Sequence, residues 1–331
     1  MRFLCYALGA GAGHLTRAIA ITTRVRDLTG ATCAILTNSF AAHLATLHGI
    51  PCYRLPSRTE LPFFDQGPLI RSTIDVFAPN LLAVDTFADG YYGELGGHLS
   101  ALPGRKVFIH RRGQVDGDLS SYDLVCDIEA ITVRDGHHFV SPVLIRDPNS
   151  LLSRAEARRV LRADPESRVV FAFHCGRRDE ARRLFRTASK AVAALGRSDV
   201  VLRFGSLDPT VCAKFPELSV GHFPAAELLP GVDVAIVAGG YNSYYEIAAT
   251  GTPAVFVPLP REIDDQLARV AGEDTVARCF QDVLDLLKRQ LDEPRPARGV
   301  IVERNGLDPL GETLASLMDV KQQSPLSMAK S

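Results

Sequence analysis

The sequence predicts an α/β protein of two domains, each a parallel sheet covered by helices on both faces. Short apolar runs alternate with amphipathic ones along the chain. Several of these runs end in glycine-rich or polar junctions that open a helix. The alternation breaks at the proline-containing residues 140–152 and then begins again. A length of 331 residues suits two domains of ordinary size. The expected division is 1–145 and 146–321, with a polar tail, 322–331, expected to be disordered.

In the first half, residues 2–7 form a short apolar strand. Residues 14–28 have helical periodicity and stop near Gly30. A second strand spans 32–36, and a helix over 39–47 has Ser39 as its N-cap. Residues 52–55 resemble a third strand. A helix over 69–77 is halted by Pro79, and a strand over 81–84 ends at Asp85. Residues 106–109 and 124–126 read as further strands. In the second half, a helix over 154–161 precedes a β-rich run, 168–173, and residues 179–195 form a long amphipathic helix. Strands follow at 200–204, 218–220, 232–237 and 254–257. Helices are expected at 246–250, 275–290 and 310–320, the last crossing back toward the first domain.

Composition narrows the function classes. Hydrophobic residues make up 46% and charged residues 23%, as in soluble globular proteins. A net charge of −1 gives no bulk attraction to nucleic acid or to an anionic membrane. No run approaches the ~20 apolar residues of a membrane span. The apolar start, 1–12, is short and broken by Gly9 and Gly11, so it reads as a strand entering a glycine loop rather than as a signal peptide. Seven scattered cysteines without a C-x-x-C pair suggest free buried thiols, and with them a cytoplasmic location.

The richest junction is Ala238-Gly239-Gly240-Tyr241-Asn242-Ser243, with Glu246 one turn into the helix. Free N–H groups and the positive helix end suit a diphosphate there, and Glu246 is placed to accept from sugar hydroxyls. A plain glycine-rich turn is the alternative. The first-half junction, Gly9 to Arg17, fails as a G-x-G-x-x-G dinucleotide loop because His14 stands where the third glycine is needed. His14 at a helix start has its pKa lowered and remains a neutral base, unless it is a simple cap. Asp85, after the fourth strand, either orients His14 as a general base or caps its own turn. In His174-Cys175-Gly176-Arg177-Arg178, Gly176 allows close backbone approach and Arg177 could neutralise phosphate; a solvated basic helix start is the alternative. Asp116-Gly117-Asp118 reads as a turn, His137-His138 as surface histidines, and His43 and His48 as chemically idle. P-loop, zinc-protease and α/β-hydrolase signatures are absent.

Gly240-Tyr241-Asn242-Ser243-x-x-Glu246, Gly251-x-Pro253 and Asp265-Gln266 together resemble the donor box of nucleotide-diphosphate-sugar glycosyltransferases of the GT-B fold. Gly11-x-Gly13-His14-x-x-Arg17 is similar to the first loop of the bacterial peptidoglycan N-acetylglucosaminyltransferase, and Val220-x-x-Phe223 to its uracil-binding segment. The resemblance implies two Rossmann-like domains facing a cleft, the first for the acceptor and the second for the donor. It implies that Phe223 flanks the base and Glu246 holds the ribose. Asn242 and Ser243 would hold the diphosphate, Gly13, Gly176, Gly239, Gly240 and Tyr241 would also belong to the donor site, and Asp265 and Gln266 would hold the sugar hydroxyls. His14 with Asp85 would deprotonate the acceptor. Two departures stand out: Ala238 replaces a phosphate-binding His, and Cys175-Gly176-Arg177-Arg178 replaces a glycine- and serine-rich loop.

The expected activity is an inverting transfer from a nucleotide-diphosphate sugar, with UDP as the expected nucleotide, to a small-molecule hydroxyl. No cofactor, obligatory metal, nucleic-acid partner or membrane insertion is expected. A hydrolase or 2-epimerase of the same fold, and a non-catalytic nucleotide-sugar binder, remain alternatives. Loops 57–67 and 88–97, with Phe63, Phe64, Tyr91 and Tyr92, are candidates for acceptor contact.

Overall fold

The computed structural model describes residues 1–9, 11–57, 60–61, 65–112, 117–129, 134–261, 264–294, 302 and 304–319. Phe63, Phe64, Asp116 and the tail 322–331 lie outside the described residues. The first sheet contains β1 (Arg2–Tyr6), β2 (Thr32–Thr37), β3 (Cys52–Arg54), β4 (Leu81–Asp85), β5 (Arg105–His110), β6 (Leu124–Asp127) and β7 (His137–Phe139). Its order is β3-β2-β1-β4-β5-β6-β7, with every pairing parallel. The second contains β8 (Arg168–Phe173), β9 (Val200–Gly205), β10 (Ser219–Val220), β11 (Val234–Val237) and β12 (Ala254–Phe256). Its order is β10-β9-β8-β11-β12, again all parallel.

The helices are α1 (Gly13–Thr29), α2 (His43–Leu47), α3 (Gly67–Phe77), α4 (Arg154–Val160), α5 (Arg178–Leu195), α6 (Pro209–Cys212), α7 (Tyr241–Thr250), α8 (Gln266–Arg269), α9 (Phe280–Asp292) and α10 (Leu307–Asp319). Their sequences explain them locally. Ser153 and Glu156 make a reciprocal capping box on α4. Along α5, Ala181, Leu184, Phe185, Ala188 and Ala191 bury one stripe at helical spacing. No helix among the described residues is long and apolar enough to cross a membrane. All seven cysteines are free.

Each sheet has one switch point, where consecutive connections leave in opposite directions. Tyr6 pairs with Val84, so the loops after β1 and β4 emerge side by side. Ile236 pairs with Ala172, which does the same for the loops after β11 and β8. Open α/β sheets bind ligands in the crevice at such points.

Three sequence expectations are corrected. Ser39 does not cap a helix over 39–47: its Oγ accepts from Ala41 N at 3.3 Å in a turn, and α2 begins only at His43. Residues 275–279 are not helical, because Val276 bridges Phe256 and Ala277 N donates to Phe256 O at 2.8 Å, extending the sheet edge. The helix expected over 246–250 starts earlier, at Tyr241. His137 and His138 are half-buried and exposed, as expected of surface histidines, but they lie on the edge strand β7, and His137 Nδ1 pairs with Asp127 Oδ2 at 2.9 Å.

The C-terminal helix α10 packs on α1 of the first domain. Gly311 permits this approach, since a Cβ there would lie 2.4 Å from Arg24 Cγ. Leu310 and Leu314 enter the same buried cluster as Ile21 and Val25, and Arg24 pairs with Asp308 at 3.0 Å.

Candidate active site in the interdomain cleft

A cavity of about 520 Å³ lies between the two switch points. The first loop docks directly on the second domain, where Ala12 N donates to Cys175 O at 2.9 Å. Gly11 makes this contact possible: its φ is +90°, and a Cβ would lie 2.7 Å from Cys175 O.

His14 lines the cleft from the first turn of α1. Its Nδ1 lies 2.7 Å from Asp85 Oδ2. Arg17, one turn on, binds the same carboxylate bidentately, Nε to Oδ1 and Nη2 to Oδ2, both at 2.7 Å. Burial opposes ionisation of Asp85, but Arg17 and His14 overcome it and hold its carboxyl below the usual carboxylate range. An ionised Asp85 fixes the proton on Nδ1 and leaves Nε2 as the basic nitrogen. Burial lowers the His14 pKa more than Asp85 raises it, so the ring is neutral near pH 7. Gly9 leaves room for that ring, since a Cβ there would meet Cδ2 at 2.3 Å.

On the opposite wall Gly240 caps α7, and Gly240, Asn242, Ser243 and Glu246 line the cleft. The first-turn N–H groups of this ten-residue helix are available for an anion. Asn242 Nδ2 donates across the cleft to Gly13 O at 3.1 Å, and Ser243 Oγ donates to Gly240 O at 3.0 Å. Glu246 is buried, and desolvation alone pushes its carboxyl up to about 8. Phe223 lines the same wall and meets the His48 ring edge-on at 6.1 Å between centroids. A Cβ on Gly176 would lie 2.5 Å from His174 Nε2, so a side chain there would displace that ring.

Several expected site residues have other duties. Gly239 does not line the cleft; its φ of +79° turns the chain tightly against Val270, and its carbonyl accepts from Arg269. Tyr241 is buried, with its hydroxyl accepting from Val143 N at 2.9 Å and its ring 4.9 Å from the Arg17 guanidinium, so it joins the domains. Asp265 is exposed and caps α8, accepting from Ala268 N at 2.9 Å. Its neighbour Asp264 lines the cleft instead. Both ends of the Gln266 amide are used internally, by Leu259 N at 3.0 Å and Asp264 at 3.1 Å. Arg177 reaches the cleft, but its side chain is 64% exposed and pairs with Asp179 at 3.5 Å.

Sequence reasoning missed the residues that complete these walls. Glu180 is tied to His174 at 3.2 Å and to the Arg261 guanidinium, placing two more cationic or basic groups at the cleft. Arg111 enters from the end of β5, and Arg269 pairs with Glu129 across the domain boundary. Arg17 was visible only as part of a motif. Arg111 and Arg261 lie in stretches with no motif, and only the fold brings them to the cleft. Asp118 accepts from Ser120 N at 2.9 Å, as in a turn.

No protein-family model matches the chain. The UDP-N-acetylglucosamine--N-acetylmuramyl-(pentapeptide) pyrophosphoryl-undecaprenol N-acetylglucosamine transferase of a Nocardioides species is 35% identical over 116 residues, covering 32% of this chain and 31% of that protein. The chain therefore matches about a third of that relative's length. Solved structures align over nearly the whole chain. The spinosyn rhamnosyltransferase complexed with thymidine diphosphate has a TM-score of 0.60 at 16% identity, covering 96% of each chain. The Acinetobacter baumannii MurG structure has a TM-score of 0.55 at 16% identity, over 96% of this chain and 100% of that one. A Listeria monocytogenes chain described as a UDP-N-acetylglucosamine 2-epimerase has a TM-score of 0.66 at 10% identity, over 96% and 95%. The chain thus has the fold of the GT-B glycosyltransferases, two parallel-sheet domains facing one cleft.

Proposed function

We propose that the protein is an inverting glycosyltransferase that moves a sugar from a nucleoside-diphosphate donor to an acceptor hydroxyl. The observation that carries this reading is the His14–Asp85 pair, 2.7 Å apart, in the same cleft as the start of α7 and the buried Glu246. His14 Nε2 takes the acceptor proton as the oxygen attacks the anomeric carbon, and the bond to the diphosphate breaks with its electron pair leaving on phosphate oxygen. The N-terminus of α7 and the guanidiniums of Arg177 and Arg261 receive the charge that develops there. Glu246 accepts from the ribose hydroxyls, Phe223 flanks the base, and Asp264 takes the place expected of Asp265 beside the sugar. Uridine is the first base to test, because the partly matching Nocardioides protein is named for a UDP-sugar.

Thermal-shift screening of nucleoside diphosphates and their sugars identifies the donor, since a ligand of the folded state raises its melting temperature. His14→Ala is then expected to lower kcat by about 10²–10⁴-fold while leaving donor affinity nearly unchanged. Unchanged turnover would refute the base assignment. Incubating donor sugar without acceptor tests the rival chemistry: hydrolysis or epimerisation as fast as transfer would replace this reading with one in which His14 serves water or a sugar proton.

A further inference from the structure

Arg17, Arg111 and Arg269 are buried guanidiniums at the domain interface, the first two 4.9 and 5.8 Å from the Tyr241 ring, and Arg111 lacks a matching anion. Arg17 is held by both oxygens of Asp85. Arg269 is held by Glu129 and by Asp264 Oδ1 at 2.8 Å. Arg111 donates Nε–H to the Thr86 hydroxyl at 3.2 Å. Its nearest carboxylate oxygen, Asp264 Oδ1, is 3.8 Å away and lies closer to Arg269. Among the described residues, no carboxylate is within hydrogen-bonding distance of Arg111, yet its side chain is only 8% exposed and lines the cleft. Burying a cation without a hydrogen-bonded counter-ion is costly, and the cost is offset where the counter-ion arrives with a ligand. Burial, followed by the charge of Arg17, lowers the pKa of Arg111 despite the carboxylates nearby, which an added anion would reverse.

The surroundings indicate which ligand. Thr86 leads directly into Phe87, whose ring is 5.6 Å from the His14 ring and 4.9 Å from Tyr91, edge to face. This aromatic wall is fixed from below. Tyr91 N donates to the Tyr6 hydroxyl at 2.6 Å, and that hydroxyl donates to buried Glu94. A cation, an aromatic wall and a base therefore converge on the acceptor side of the cleft. We propose, resting on the glycosyl-transfer reading above, that the acceptor is an aromatic hydroxy acid. Its ring lies against Phe87 and Tyr91, its carboxylate pairs with Arg111 and its hydroxyl meets His14 Nε2. The hydroxyl proton passes to His14, the freed oxygen bonds to the anomeric carbon, and the nucleoside diphosphate leaves with the electron pair.

Calorimetric titration of the full chain, saturated with whichever nucleoside diphosphate stabilises it, tests this without requiring turnover. The probes are 4-hydroxybenzoate, 4-hydroxyphenylacetate and 3-(4-hydroxyphenyl)propanoate, each paired with its neutral amide. At least one acid should bind ~10-fold or more tightly than its amide, the scale of a charged hydrogen-bonded pair. Arg111→Gln should remove that preference by weakening the acid alone, and Arg111→Lys should keep part of it. Acids and amides binding alike, neither binding at millimolar concentration, or Arg111→Gln weakening both equally would each overturn the inference. If Arg111→Gln fails to fold, the wild-type acid-to-amide ratio and Arg111→Lys decide. Failure of the underlying reading shows separately, as no stabilisation by any nucleoside diphosphate.

Discussion

Glu246 is a carboxylate whose environment favours its neutral form until a ligand arrives. Burial pushes it up to about 8 in the free protein. Ribose hydroxyls donating to it would stabilise the charged form and lower that value in the complex. Binding then releases a proton between the two values, so nucleoside-diphosphate affinity should strengthen as pH rises toward about 8 and level off above it. The slope should reach at most roughly tenfold per pH unit, and Glu246→Gln should abolish it, as read by titration across pH. An unchanged slope in that variant would assign the proton elsewhere. The placement of Glu246 and His14 at the cleft, and of Asp85 beside His14, was legible in the sequence because each occupies a fixed offset from a strand-to-helix junction. Asp264 and Arg111 were not. Which of the adjacent Asp264 and Asp265 faces the cleft depends on the start of α8, where Asp265 serves as the cap.

Among the elements, the first loop places His14, and its glycines have different duties. Gly9 makes room for the His14 ring, whereas Gly11 provides a left-handed backbone turn against Cys175. Gly11→Ala should cost about 1–3 kcal/mol from backbone strain, with the clash at Cys175 O added, and should lower the melting temperature. It should also reduce turnover by displacing His14; a variant with wild-type melting and wild-type kcat would show that the loop tolerates another path. Helices and central strands were readable because their periodicity is strong. The short edge strand β7 was missed because His137-His138-Phe139 carries little apolar signal and gains its place by pairing with β6. Residues 275–279 were misread because a local pattern cannot reveal that their backbone completes a sheet edge.

At the scale of the whole molecule, the two domains are held by buried charge and by a returning helix. Arg269 of the second domain pairs with Glu129 of the first, and Tyr245 donates to the same carboxylate at 3.2 Å. Helix α10 packs against α1, the element that presents His14. Leu314→Ala should therefore cost about 2–5 kcal/mol in denaturant unfolding, as a cavity in a shared core does. A loss below 0.5 kcal/mol, the scale of ordinary surface substitutions, would mean that α10 is a passive cover. The two-domain architecture was visible in the repeated β/α alternation; the interdomain pairs were not, because Glu129 and Arg269 are 140 positions apart.

One contact across the cleft has a kinetic consequence. The Asn242 amide rests on the carbonyl of Gly13, the residue just before His14. Under the proposed transfer, a phosphate oxygen arriving at the start of α7 would draw that amide from the backbone and so release the strip of chain that carries His14. Donor entry and the alignment of His14 would then be one event, with an expected order of arrival of activated sugar first and alcohol second.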